Sequence, residues 1–237
     1  MADPVIRFDD GAAYEKFMGI WSRMAGDVFI DWLKPAQGLT WVDPSEGQLS
    51  FARTHPAARL AKFHQGDAMA LPFADKMFDA AVMALVIFFV PEPAKGVAEL
   101  ARVTKPGGLV ATYAWDIMGG GFPMEPVQAV LREMGEKLVL PPQAPASRVE
   151  ALRDLWNGAG LEAVETREIT VQRTFADFDE FWEIALLGNS VSPILARMTP
   201  AAAEAVKAES RKRLPADSSG RITYSARANA IKGRVPK

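Results

Sequence analysis

Residues 78–86, FDAAVMALV, constrain the fold more than any other stretch. From Ala80 to Val90 every side chain is apolar, so no wet face alternates with a dry one. A run of this kind reads as a strand covered on both faces, as in the middle of a parallel sheet. Residues 93–103 follow with helical spacing, and Lys105-Pro106-Gly107-Gly108 supplies a helix stop and a reversal. Residues 109–115 are apolar again. Strand, helix, strand in this order predicts a parallel α/β sheet with right-handed crossovers.

The pattern extends both ways. Residues 12–33 place Phe17, Ile20, Trp21, Met24, Val28 and Trp32 at spacings of three and four, which predicts a helix with one apolar face. Pro35 and Gly38 end it, and residues 39–42 read as a short central strand. Residues 44–54 suit a helix with Pro44 in its first turn, and residues 60–65 a strand ending at Gly66-Asp67. Residues 148–159 are helical and capped by Gly160; residues 161–175 are β-rich. Residues 178–198 and 200–214 read as helices, and residues 222–231 alternate and would close the sheet as a late strand. The expected organisation is one domain: a cap helix at 1–34, an α/β core at 38–175, a helical insertion at 176–217 and a final strand at 222–232.

Composition narrows the class. The 237 residues, 49% hydrophobic and 24% charged, suit a globular chain with a sizeable core. A net charge of -2 argues against nucleic acid as a partner. There is no cysteine and there are only two histidines, so no metal site is expected. The first residues lack the basic-then-apolar pattern of a signal peptide, and the apolar run at 80–90 is too short to span a bilayer, which needs about 20 residues. The expected location is the cytoplasm.

The most specific segment is Gly66-Asp67-Ala68-Met69-Ala70-Leu71-Pro72-Phe73, followed by Phe78-Asp79-Ala80-Ala81-Val82 and then by Ala98-Glu99-Leu100-Ala101-Arg102-Val103-Thr104-Lys105-Pro106-Gly107-Gly108-Leu109-Val110. In this order these resemble the class I S-adenosylmethionine-dependent methyltransferases, in particular the small-molecule branch of ubiquinone/menaquinone-type enzymes. The resemblance covers roughly residues 8–115. It implies a Rossmann-like, doubly wound, mostly parallel sheet, S-adenosyl-L-methionine as cofactor, and a small-molecule acceptor. It places Asp67 at a strand's carboxyl end, where its carboxylate would accept from the adenine amine. The Ala68 N–H would serve a ring nitrogen, and Met69 and Leu71 would flank the ring. Leu85 would touch the cofactor through its backbone. Tyr14 and Arg23, in the segment resembling the cap helix, would meet the methionine end, since a guanidinium suits a carboxylate. Asp79, His64 and His55 read as structural. No catalytic base is assigned, because the sulfonium already carries an activated methyl group. Phe88-Phe89 stand where many relatives carry histidines and predict an apolar wall. With Trp115, Phe181, Trp182 and the loop at 119–122 they suit a planar or lipophilic acceptor.

One part of the resemblance is missing. The family's first motif is a strand, an acid and a glycine-rich loop, then a helix and a second strand ending in another acid. Here Trp41-Val42-Asp43 resembles the run into that loop, and Asp43-Pro44-Ser45-Glu46-Gly47-Gln48-Leu49 the run out of the second strand. The two ends share one aspartate. The expectation is a sheet short of one strand and one helix, with Asp43 and Ser45 at the ribose hydroxyls and no glycine cradle for the methionine. Close backbone approach needs glycine because a Cβ would clash. The alternative is an inactive binding protein of the same fold, homodimeric through exposed strands. A nicotinamide-dependent oxidoreductase is disfavoured, because no Gly-x-Gly-x-x-Gly follows the first strand.

Overall fold

The computed structural model describes residues 15–34, 40–55 and 60–237. A π-helical turn, Glu15–Gly19, leads into α1, Ile20–Leu33. Then come β1 (Thr40–Asp43), α2 (Glu46–Thr54), β2 (Lys62–Gln65) and β3 (Phe78–Ala84). After them follow α3 (Pro93–Val103), β4 (Thr104–Trp115), α4 (Glu125–Glu133), α5 (Val149–Gly158) and β5 (Glu162–Phe175). The chain continues with α6 (Phe178–Ala185), α7 (Ser192–Leu195), α8 (Pro200–Arg213) and β6 (Ile222–Arg234).

The strands form two sheets. One is the parallel pair β1–β2, and the other runs β3-β4-β6-β5. In the larger sheet β3 and β4 are parallel, whereas β6 is antiparallel to both β4 and β5. The architecture is α/β with a mixed sheet. Among the described residues, β1 has β2 as its one ladder partner and β3 has β4. The interruption between the two sheets fits the shortened junction at Asp43. On β3, Val82 is 38% exposed, and just beyond the strand Val86 is 37% exposed, where the sequence reads as a fully covered run.

The helix-strand unit around α3 forms as its sequence predicts. Pro93 occupies the first turn, where its missing N–H costs nothing, and Gly96, Val97, Leu100 and Val103 are buried on one face. The segment Lys105-Pro106-Gly107-Gly108 is assigned within β4 but leaves the ladder. The register jumps from Phe78↔Thr104 to Ala80↔Leu109. Gly107 adopts φ 76, a conformation that glycine takes without a Cβ penalty. Its N–H donates to the Val235 carbonyl at 2.8 Å, and Arg234 Nη1 donates to its carbonyl at 2.8 Å.

Three expectations need correcting. Of the apolar face expected on the first helix, Phe17 and Trp21 are buried and Met24, Val28 and Trp32 pack against the core, but Ile20 is 41% exposed, and the buried line of α1 is Trp21, Ala25, Phe29 and Leu33. The stripe is set by what α1 covers: Phe29 meets Tyr113 at 4.5 Å between ring centroids, and Trp21 meets Tyr224 at 5.1 Å. The late strand β6 does not close an edge but runs inside the sheet, with Ala226, Ala228, Ala230 and Ile231 buried. The helix expected over 178–198 is broken into α6 and α7 by turns around Gly188. A Cβ at Gly188 would run into the Phe17 ring, so glycine permits that contact.

Candidate functional site

The carboxyl ends of the parallel strands carry two groups of residues. The first stands on β1–β2. Asp43 ends β1, and its carbonyl accepts from Gly66 N–H at 3.2 Å, which brings the ends of the two strands together. The Asp43 carboxylate accepts from Ser45 N–H at 2.8 Å. Burial raises its pKa, and the Ser45 N–H opposes that shift. The Ser45 hydroxyl caps α2 by accepting from Gln48 N–H at 3.3 Å, so part of its hydrogen-bonding capacity is already used. Asp67 is exposed just past β2, and its carboxylate accepts from Met69 N–H at 2.8 Å, a turn that fixes its direction. Ala68, Met69, Leu71 and Phe73 pack against the core.

Sequence reasoning missed what holds that loop. Arg102 Nη1 donates to the Phe73 carbonyl at 2.8 Å, and Nη2 donates to the Leu71 carbonyl at 3.1 Å. Arg102 also binds Glu99 and Asp75, and Glu99 accepts from Leu71 N–H at 2.8 Å. The Arg102 guanidinium lowers the Glu99 carboxyl pKa, and the two carboxylates raise that of Arg102. Both residues stand in the quoted helix motif at a spacing of three, the one signal that they pair.

The second group lies around the ends of β3 and β4. Leu85, one residue past β3, adopts φ 58 and donates its N–H to the Tyr113 carbonyl at 2.9 Å. A left-handed leucine costs on the order of 1 kcal/mol and persists only where packing enforces it. Leu85 lines a cavity together with Trp115 at the end of β4 and Phe17 and Met18 of the π-helical turn. Phe88 and Phe89 form one wall, and Ile117 and Phe122 come from the loop after β4. The remaining lining includes Gln128 of α4 and Asn189 and Ser190 ahead of α7. The cavity sits where ligands of open α/β sheets bind, outside strand carboxyl ends.

The structure therefore brings Asp43 with Asp67, and Leu85 with Phe88, Phe89, Trp115 and Phe122. It does not bring Phe181 or Trp182 to the cavity. Both are buried in an aromatic cluster with Phe175 and Phe178, and neither lines the cavity. Arg23 is exposed and paired with Glu15. Tyr14 lies outside the described residues. Asp79 is exposed and bound to Lys105 at 2.8 Å, which lowers its pKa. His64 sits edge-on to Phe73 at 5.1 Å.

Comparison with known proteins agrees with the motifs. Residues 25–112 match the family model of the methyltransferase domain. The demethylmenaquinone methyltransferase of Desulfitobacterium hafniense is 41% identical over 78 residues, which are 31% of this chain and 31% of that protein. The match thus spans about a third of that relative's length. Among solved structures, the YcgJ protein of Bacillus subtilis superposes with a TM-score of 0.53 at 18% identity, covering 90% of this chain and 88% of that one. Phosphoethanolamine N-methyltransferase 2 of Haemonchus contortus, solved with S-adenosyl-L-methionine, gives 0.50 at 16% identity, covering 97% of this chain and 58% of that one. At these identities the structures show the fold alone. Domain match and fold bear out the class that the motifs resemble, the class I S-adenosylmethionine-dependent methyltransferases. No helix among the described residues is long and apolar enough to cross a membrane.

Proposed function

We propose that this chain binds S-adenosyl-L-methionine across the two groups of residues and transfers its methyl group to a small apolar or aromatic acceptor. The observation that carries the reading is that Asp43 and Asp67 stand at the neighbouring carboxyl ends of two parallel strands, in a chain whose other parallel strands end at an apolar cavity. In this reading Asp43 takes the ribose hydroxyls. Asp67 and the Ala68 N–H take the adenine edge, and Met69 flanks the ring. Leu85 borders the cavity where the methyl group would be presented. Alignment of the acceptor and exclusion of water supply the acceleration, without an ionisable base.

The glycine cradle for the methionine end is absent from the sequence. Each lost backbone hydrogen bond costs roughly 0.5–1.5 kcal/mol, so adenosine contacts carry most of the affinity. Calorimetric titration with S-adenosylhomocysteine tests the reading. The expected result is binding near the micromolar range, about −8 kcal/mol, that Asp67→Ala abolishes. A folded chain that binds neither S-adenosylhomocysteine nor S-adenosylmethionine refutes the proposal.

A further inference from the structure

The cavity at the ends of β3 and β4 is almost wholly apolar, and none of its lining side chains is ionisable. A charged acceptor would have to be stripped of water there without a counter-charge, which costs far more than apolar contact returns. Its polar exceptions are Gln128, Asn189 and Ser190. Gln128 is 3% exposed and Ser190 9%. The Ser190 hydroxyl is buried without a hydrogen-bond partner, although its residue lines the cavity. A buried hydroxyl is normally satisfied, so an orphan on a residue that lines a cavity calls for an explanation; the oxygen itself is covered and meets the cavity by turning about χ1. Ser190 lies in the irregular stretch between α6 and α7, held by Val191 N–H donating to the Gly188 carbonyl at 3.2 Å. Fixed backbone on both sides leaves the side-chain rotamer as the main freedom of that hydroxyl.

We infer that Ser190 is the specificity-determining contact of this cavity, and that the ligand it orients is a neutral, mainly apolar molecule carrying a hydroxyl or carbonyl oxygen. Phe88, Phe89 and Trp115 hold the apolar body, and the oxygen completes the Ser190 hydroxyl, with the Gln128 amide also at the wall. A site built around such a group rejects an analogue lacking the oxygen more strongly than one lacking a methylene, because the hydroxyl is then left unpaired. This inference rests on the cavity being the acceptor site, but its test needs neither cofactor nor turnover.

Ligand-observed NMR titration of the full chain with p-cresol, toluene and p-toluate provides the test. The three share a ring and a methyl group and differ in a hydroxyl, nothing, or a charge. The wild-type chain is expected to bind p-cresol about fivefold more tightly than toluene, and p-toluate least tightly of the three. In Ser190→Ala the preference for p-cresol should vanish while toluene binds as before, which also shows that the variant is folded. Equal binding of p-cresol and toluene to the wild type, or a preference that survives in Ser190→Ala, overturns the role of Ser190 and leaves the cavity standing. Tightest binding by p-toluate overturns the neutral ligand class. Binding of none of the three removes the acceptor cavity itself, and the inference with it. Binding of S-adenosylhomocysteine is measured independently of every one of these outcomes.

Discussion

The two sheets of this molecule stand in contrast. In the larger sheet, β4 and β6 are buried along most of their length, and Trp156 of α5 is fully buried with its Nε1 donating to the Val110 carbonyl at 3.1 Å. In the smaller sheet, β1 has no buried residue, Trp41 is 49% exposed, and its ring has Phe63 as a stacked neighbour at 6.2 Å. Both sheets contain a parallel pair, so strand direction does not explain the difference. Layering does: helices cover the larger sheet, while α2 buries only Leu49. A strand pair is worth little until something covers its face. Asp43 and Asp67 thus stand on the weaker half, and the apolar cavity on the stronger.

The largest expected effect separates the halves directly. Trp156→Ala should cost about 3–5 kcal/mol in urea unfolding, as for other fully buried tryptophans, whereas Trp41→Ala should cost less than about 1 kcal/mol. Equal costs would break the comparison. A smaller effect concerns Asp43. Burial raises its pKa in the folded chain, so its contribution to stability is greatest below the ordinary aspartate value and is lost as pH rises through the folded value. Asp43→Asn should therefore raise the melting temperature slightly near neutral pH and change it little at acid pH, while weakening S-adenosylhomocysteine binding. A variant less stable at neutral pH would show that the carboxylate is more favourably placed than its burial implies. The smallest effect is on the bare face of β3. Val82→Thr should change stability by no more than about 0.5 kcal/mol, because more than a third of that residue is open to water and the new hydroxyl can turn toward it. A cost of about 1–3 kcal/mol would mean that this face is covered in solution.

The parts of the fold that were legible are those in which local signals decide the outcome. Pro93 and the apolar spacing behind it set α3 to the residue, and the apolar runs at 78–84 and 109–115 are strands. The acid at the end of β1 and the Gly-Asp after β2 fall at carboxyl ends, as their turn chemistry requires. What was not legible depends on distant partners. That Ala25, Phe29 and Leu33 lie deepest on α1 follows from its contacts with Tyr113 and Tyr224, and the interior position of β6 from pairing with β4. α4, Glu125–Glu133, gives only a short periodic signal after a glycine-rich loop. At the site, Phe88, Phe89 and Trp115 could be read as a wall, but Phe181 and Trp182 have the same composition and serve the core instead. Ser190 carries no sequence signal, because an irregular Gly-Asn-Ser stretch has no period.

The interior place of β6 has a consequence for how the molecule forms. β4 pairs with β6 across the ladder from Leu109↔Arg234 to Trp115↔Ala228, and β5 reaches the rest of the sheet only through β6. Synthesis delivers β4 and β5 first, at roughly 5–20 residues per second, so both wait several seconds for the strand that joins them. During that interval an apolar strand edge lies open on the nascent chain. Closure then has to bring together residues far apart in sequence, a loop-closure cost that slows pairing of this kind and lengthens the time the open edge is exposed.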